Sequence, residues 1–200
     1  EKGSLKVTKK FNLQVKARRG IMINLSKGQT IDLTKKEVGL KHLDVGLGWI
    51  TRMDLDTIAY LLDSNDKHIE TVYFGIKESK NKSVRLSGDD LVGGGAGENE
   101  VIYIDLDKLD SRVQKIALYA NIFKFFGLGK KTFSDVKDAY IRVVNRDTGK
   151  EICKYVLAEN GAGCDAFHFA DLVKNGSEWK FVAVGNGCNG SVDKLRKKYL

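Results

Sequence analysis

The sequence predicts an all-β protein, an antiparallel β-sandwich of two sheets with a few short helices. Short segments rich in β-branched and aromatic residues recur along the chain, several of them alternate apolar and polar residues, and clusters of turn residues separate them. The 200 residues include no proline, so glycine, asparagine and aspartate are expected to form the turns. Many short strands joined by frequent turns are typical of an antiparallel sandwich.

The strand predictions follow this pattern along the chain. Residues 139–144 and 179–184 alternate most clearly. Residues 63–66 are predicted to join two strands, and residues 147–149 to form a short hairpin loop. The predicted strands are 20–25, 58–62, 70–74, 101–104, 115–120, 140–144, 153–157 and 178–184.

Helical patterns are confined to short segments. Residues 166–174 are predicted as a short helix, with Asp165 as its N-cap and a stop at Asn175-Gly176. Residues 134–139 are predicted to form one helical turn, and residues 191–199 a basic helix that starts at Ser191.

Three parts of the chain are therefore expected. Residues 1–20 form a basic arm or an extra strand, residues 21–190 form the sandwich domain, and residues 191–200 form a basic C-terminal helix. The net charge of +8 lies mostly at the two ends, which predicts a solvated basic surface. Contact of these ends with nucleic acid or a membrane is the alternative.

Composition narrows the class of protein. A hydrophobic content of 42% and a charged content of 30% are typical of a soluble globular protein. The longest apolar runs are far shorter than the roughly 20 residues of a membrane helix. The three cysteines form no CxxC pair, which excludes a zinc ribbon and favours reduced thiols in a cytoplasmic protein.

Two acidic segments that lie far apart in sequence are the strongest candidates for a binding site. Asp54-Leu55-Asp56 precedes one predicted strand, and the glycine-rich segment 88–100 precedes another. In an extended chain, residues two apart project to one face about 6.6 Å apart, so we expect paired carboxylates at Asp54 and Asp56 and again at Glu98 and Glu100. Like charges this close repel each other, and a hard cation removes the conflict. Calcium takes oxygen from carboxylates and from the carbonyls that a glycine-rich loop can present.

Other interpretations of these segments remain. No Gly-Lys-Ser/Thr follows residues 93–97, so the loop is not a P-loop, although a mononucleotide could still approach its backbone. Residues 63–66 lack the glycine and glutamate of an EF-hand. Asp105 and Asp107 repeat the Asp54/Asp56 spacing and are predicted only to end a strand. The residues alone leave both calcium binding and an ordinary acidic surface open.

Several segments occur in an order that resembles a known family. They are residues 23–34, 45–49, 54–56, 60–62, 88–106, 139–145 and 178–185. Over residues 21–190 the chain is similar to the tellurium-resistance TerD family, and the terminal helix falls outside this resemblance. The resemblance implies a sandwich of two β-sheets, calcium bound at adjacent sites on one face, and a role in resistance to tellurite and other stress.

The resemblance also implies a set of calcium ligands. Carried over by position, these are the side chains of Asp54, Asp56, Asp89, Asp90, Glu98 and Glu100 and the carbonyls near Leu91, Gly93 and Gly95. This sequence departs from the family pattern because Gly94, Ala96 and Asn99 stand where acids are usual. Fewer carboxylates predict weaker binding or one lost site, so we expect one or two calcium ions.

We expect a non-catalytic calcium-binding protein of the stress response. It is predicted to be cytoplasmic or peripheral to the inner face of the membrane, with calcium and other stress-response or membrane-associated proteins as partners and no specific nucleic acid. His42, His68 and His168, the last on the predicted short helix, have no sequence context that indicates catalysis.

Three alternatives stay open. The first is a calcium-dependent adaptor on an anionic membrane surface, helped by Lys124, Lys130 and Lys131. The second is binding of a nucleotide such as cyclic AMP, which the family resemblance implies for some relatives. The third is an enzyme that handles nucleotides or hydrolyses its substrate with the metal.

Overall fold

Two six-stranded sheets hold most of the residues that the structure describes. The structure is a computed structural model, and it describes residues 22–50, 53–87, 98–123, 131–158 and 161–200. The strands are β1 (Ile23–Leu25), β2 (Thr30–Asp32), β3 (His42–Ile50), β4 (Leu55–Leu62), β5 (His68–Val72), β6 (Val84–Leu86), β7 (Glu100–Asp105), β8 (Lys115–Ile122), β9 (Lys137–Asn145), β10 (Lys150–Val156), β11 (Ala166–Asn175) and β12 (Glu178–Cys188).

The strand order confirms the predicted sandwich. Sheet A has the order β1-β10-β9-β3-β7-β6, and sheet B has the order β2-β12-β11-β8-β4-β5. The pairing of β1 with β10 is parallel, and the other pairings among the described strands are antiparallel. The turns predicted at residues 63–66 and 147–149 join β4 to β5 and β9 to β10.

The core lies between the sheets, with a second, smaller cluster outside sheet B. Leu55, Ala59 and Leu61 of β4 point into the main core. Ile58 and Tyr60 point the other way, toward the helix α2 (Val192–Arg196), which covers this part of the outer face. Strand β4 is therefore buried on both faces, which is rare for an antiparallel strand unless a further element covers it.

The C-terminal helix is attached to sheet B through tyrosines. The Tyr60 hydroxyl donates to the Val192 carbonyl at 2.7 Å, and the Tyr119 and Tyr199 hydroxyls are 2.6 Å apart. Burial raises the pKa of both Tyr60 and Tyr119. These contacts confirm the predicted terminal helix, which continues as a 3₁₀ helix over Lys197–Tyr199.

Two helical predictions are wrong. Residues 166–174 lie in strand β11, which pairs with both β8 and β12. A β-bulge between His168 and Ala170 shifts the alternation by one residue, so the buried positions no longer follow period two in the sequence. Within residues 134–139, only a short 3₁₀ helix over Phe133–Asp135 forms before β9 begins.

The remaining helix is short. Helix α1 (Leu33–Lys36) is capped by Asp32, whose Oδ1 accepts a hydrogen bond from the Lys35 backbone at 3.0 Å. Among the described helices, none has the length and apolar character needed to cross a membrane. The predicted basic arm, residues 1–20, lies outside the described residues.

Candidate functional site

Four of the predicted calcium ligands are described, and they lie at one end of the sandwich. The Phe123 backbone, just after β8, donates to the Asp54 carbonyl at 2.9 Å. The Thr57 backbone on β4 donates to Glu100 Oε2 at 2.8 Å. The starts of β4 and β7 and the end of β8 therefore meet here. The predicted ligands Asp89, Asp90, Leu91, Gly93 and Gly95 lie outside the described residues.

Glu98 and Glu100 do not form the predicted pair. Strand β7 begins only at Glu100, so strand alternation does not govern Glu98. The Glu98 carboxylate is hydrogen-bonded to Arg142 Nε, and Arg142 also donates to Glu151 Oε2 at 3.1 Å. Glu98 thus lies against the outer face of sheet A, directly over Gly46, where a β-carbon would collide with its side chain. Glu100 is instead buried beside Thr57.

Asp56 lies on the outer face of sheet B. It alternates with Leu55 and Thr57 on β4 and is only 3% exposed. Asn121 on β8 is directly opposite Asp56 in the antiparallel ladder, which places their β-carbons roughly 4.5–5.5 Å apart. The two side chains therefore share one face, so that a carboxylate and an amide oxygen stand side by side.

Asn121 supplies a buried oxygen without a hydrogen bond. The residue is 8% exposed, and its Oδ1 has no hydrogen-bond partner among the described residues. The hydroxyl oxygen of Thr57, on the inner side of β4, is likewise without a partner in this part of the chain. Buried polar atoms in proteins are nearly always hydrogen-bonded, so such oxygens at the same end of the sandwich require an explanation.

A cavity of about 430 Å³ opens beside Asp56 and Asn121. We call it the Asp56 cavity. It is lined by Asp56, Tyr73, Phe74, Asn121, Ile122, Phe123, Asp165, Gly190, Ser191, Val192 and Asp193. These lining residues include three carboxylates and no lysine, arginine or histidine, although the whole chain carries a net charge of +8.

Two walls of the Asp56 cavity are held by specific contacts. Asp165 Oδ1 accepts a hydrogen bond from the Gly190 backbone at 2.8 Å, which joins the start of β11 to the segment before α2. Asp165 is therefore not the helix N-cap that the sequence predicted. On the other wall, the Phe74 ring packs edge-on between Tyr73 and Phe123, with centroid distances of 5.1 and 6.0 Å.

A hard cation fits the chemistry of this end. Carboxylate and amide oxygens are calcium ligands, and six to eight oxygens complete its coordination. Among the described residues, no three His, Cys, Asp or Glu side chains stand close enough to hold a metal. Asp56 and Asn121 would therefore hold part of a coordination sphere, with further oxygens needed from elsewhere in the chain.

A larger cavity, about 780 Å³, lies at the far end of β4 and β8. Its lining mixes both signs of charge, and several of these charges contact each other or the backbone. Arg112 binds the Asp110 carboxylate through two nitrogens at 3.0 and 2.7 Å, and Glu70 accepts a hydrogen bond from the Lys80 backbone. Despite its size, this cavity is the weaker candidate because its lining mixes basic and acidic side chains, and Arg112 and Asp110 already neutralise each other.

The histidines lie on separate parts of the sheets. His42 Nδ1 is 2.8 Å from Asp147, and His68 Nε2 is 2.7 Å from the Thr71 hydroxyl. Burial lowers the pKa of His68. His168 lies on β11 rather than on the predicted helix, where it stacks on Tyr119 and contacts Asp171 at 2.7 Å.

Comparison with known proteins gives consistent matches. A family model described as "TerD domain" matches residues 21–199, including the terminal helix. Stress response protein SCP2 of Bacillus subtilis (strain 168) is 38% identical, covering 89% of this chain and 99% of the relative. Tellurium resistance protein TerZ of Serratia marcescens is 35% identical, covering 84% and 92%. A solved homologue of telluride resistance protein (TerD) from Streptomyces coelicolor A3(2) shares the fold, with a TM-score of 0.63 at 23% identity over 79% of this chain and 96% of that one.

Proposed function

This chain belongs to the TerD domain family, whose members include tellurium-resistance and stress-response proteins, and we propose that it acts there as a non-catalytic calcium-binding module. Calcium binds at the end of sheet B where β4 begins. Asp56 and Asn121 contribute oxygens from neighbouring strands, and Asp54 and the acidic glycine-rich segment 88–100, apart from Glu98, supply the others.

The buried amide oxygen of Asn121 carries this proposal. An oxygen that is buried without a hydrogen bond costs about 1–3 kcal/mol. A divalent cation would remove that cost while also neutralising the neighbouring Asp56 carboxylate. Asn121 could not be identified from the sequence, because only its register with Asp56 brings it next to that carboxylate.

The charge of the residues that line the Asp56 cavity supports binding of a cation. Elsewhere in this protein a buried carboxylate such as Asp105 contacts Arg146 and Lys108 at 3.0 Å. The described residues that line the Asp56 cavity include three carboxylates and no basic side chain, so their charge favours a cationic ligand.

Calorimetry on chelator-treated protein tests the proposal, with Asn121→Leu as the diagnostic variant. We expect wild-type protein to bind calcium in preference to magnesium. Asn121→Leu should lower calcium affinity by about tenfold or more, which corresponds to 1.4 kcal/mol. Without calcium, the same variant should melt at the wild-type temperature or higher, because an apolar side chain replaces a buried oxygen without a partner.

The two readouts separate a ligand from a structural residue. A loss of both calcium affinity and stability would assign Asn121 to the fold alone. Unchanged calcium affinity would exclude its oxygen as a ligand, and no calcium binding by the wild type would contradict the proposal as a whole.

A calcium-dependent adaptor at an anionic membrane is a second candidate. Phe74 and Phe123, next to the Asp56 cavity, are 37% and 42% exposed, and exposed aromatic residues beside a cation site suit a lipid headgroup region. Sedimentation with phosphatidylserine vesicles tests this candidate. Binding that chelator abolishes would support it, and binding that is equal with and without chelator would contradict it. In either case we propose a cytoplasmic location.

A further inference from the structure

The Asp56 cavity has an aromatic wall that calcium binding does not use. Tyr73, Phe74 and Phe123 form this wall. We propose that the cavity binds an organic cation, an ammonium or guanidinium group carried on an apolar stem. The proposal shares Asp56 and Asn121 with the proposed calcium site but does not depend on calcium.

The aromatic wall can contact both the apolar stem and the charged group of such a ligand. Phe74 and Phe123 remain 37% and 42% exposed even though they pack against each other. Their ring faces and edges offer apolar contact to a methylene chain, and the face of an aromatic ring attracts an ammonium or guanidinium group. A calcium ion would not contact such a wall, because it binds through oxygen ligands.

The floor of the cavity suits the hydrogen-bond donors of such a cation. Asn121 is more than nine-tenths buried, and its Oδ1 has no hydrogen-bond partner within the described ranges. An N–H group of the ligand would donate to this oxygen. The neighbouring Asp56 carboxylate supplies the opposite charge.

One carboxylate of the lining already binds a guanidinium group of the protein itself. Asp193 binds Arg196 Nη2 at 3.0 Å at the start of α2. Asp165, the third carboxylate of the lining, accepts one hydrogen bond from the Gly190 backbone. The described lining of the Asp56 cavity therefore carries acidic side chains from three parts of the chain, whereas the larger cavity at the other end of the sheet mixes acids with Lys67 and Arg112.

The size of the cavity agrees with a small organic ligand. Sites for such ligands usually measure roughly 300–1,000 Å³ and combine apolar walls with a few polar groups. The Asp56 cavity, at about 430 Å³, lies within that range. Since calcium and the organic cation would use the same two oxygens, each should weaken the binding of the other.

Calorimetry on the chelator-treated full chain tests this inference with n-butylguanidinium, and with uncharged n-butylurea as the matched control. We expect n-butylguanidinium to bind and n-butylurea to bind at least about tenfold more weakly. Calcium should lower the apparent affinity of the protein for n-butylguanidinium. A second arm uses Nα-acetyl-arginine amide: binding of both cations would indicate a partner's basic side chain, and binding of n-butylguanidinium alone would indicate a free small cation.

Variants distinguish this inference from the calcium proposal. Phe74→Leu and Phe123→Leu should each lower n-butylguanidinium affinity by about fivefold or more and leave calcium affinity within about twofold. Asn121→Leu should weaken both ligands. Tyr103→Leu, on the outer face of sheet A, is the control and should change neither. The inference is overturned if n-butylguanidinium does not bind up to roughly 10 mM, if n-butylurea binds equally well, or if both phenylalanine variants bind like the wild type.

Discussion

The tripeptide Asp-Leu-Asp occurs twice in this protein, and the two copies have different surroundings. Asp105, in Asp105-Leu106-Asp107, ends β7 and accepts hydrogen bonds from Arg146 and Lys108, both at 3.0 Å. Asp56, in Asp54-Leu55-Asp56, lines a cavity whose described lining holds no basic side chain. Both aspartates are almost fully buried.

From this difference we predict that the surrounding charges, rather than the acidic pattern, distinguish a structural carboxylate from a candidate ligand. On the outer face of sheet A, Arg142 binds both Glu98 and Glu151, and Arg146 binds both Asp44 and Asp105. Arg142 lies on β9 and Arg146 directly follows it, and each contacts two acidic residues from other parts of the chain. The described residues that line the Asp56 cavity include no arginine.

The largest predicted effect concerns Asp105. Asp105→Asn should lower the free energy of unfolding by about 3 kcal/mol, because it leaves the charges of Arg146 and Lys108 without their buried partner. Urea unfolding at neutral pH measures this loss. A loss below about 1 kcal/mol would show that these contacts resemble surface ion pairs and would remove the contrast between the two tripeptides.

The second effect concerns Glu98. Gly46→Ala should cost about 2 kcal/mol, because the added β-carbon displaces the Glu98 side chain from Arg142. In a Glu98→Ala background the same substitution should cost much less, which a double-mutant cycle by urea unfolding would show. Glu98→Ala should also leave calcium affinity within about threefold. A greater loss of affinity would return Glu98 to the ligand set.

The third effect is a dependence on pH. Burial alone would raise the pKa of Asp105, but the hydrogen bonds from Lys108 and Arg146 outweigh it and hold the pKa below its ordinary value. A lowered pKa contributes stability above the unfolded pKa of about 3.9, and this contribution is lost as pH falls through the folded pKa. The stability difference between wild type and Asp105→Asn should therefore shrink below about pH 4. Urea unfolding from neutral pH down to about pH 2 checks this, and a constant difference would contradict it.

The smallest effect is expected at Asp107. Its side chain is 61% exposed and contacts Lys41 at 3.2 Å. Because surface ion pairs contribute little, Asp107→Asn should cost less than about 1 kcal/mol. Urea unfolding at low and high salt tests this: the small wild-type advantage should fall with salt, and a large salt-independent loss would contradict the assignment.

Much of the fold could be predicted because strands β4, β7, β8, β9, β10 and β12 carry strong apolar or alternating patterns. Strand β3 was not predicted as a strand, since Gly46 and Gly48 weaken strand propensity. In the structure, both positions require glycine because another side chain packs against the backbone. The Glu98 side chain occupies the space of a β-carbon at Gly46, and the Tyr140 side chain occupies that space at Gly48. Strand β11 was predicted as a helix because its bulge breaks the alternation.

The candidate site was predictable only in part. Asp54 and Asp56 could be found from sequence because acidic residues two apart at the start of a strand form a local pattern. Asn121 and Asp165 could not, because their places depend on how β4, β8 and β11 align as neighbours in sheet B. The ion pair between Glu98 and Arg142 could not be predicted either, because Arg142 lies on β9, far from Glu98 in sequence.

Calcium titration calorimetry on three chelator-treated proteins tests the central claim most directly. The proteins are the wild type and the double variants Asp54→Asn/Asp56→Asn and Asp105→Asn/Asp107→Asn, each shown to be folded by its thermal melt. We predict that the wild type and the Asp105/Asp107 variant bind one or two calcium ions with affinities within about threefold of each other. The Asp54/Asp56 variant should bind none. Calcium binding retained by the Asp54/Asp56 variant, or lost only in the Asp105/Asp107 variant, would contradict the account.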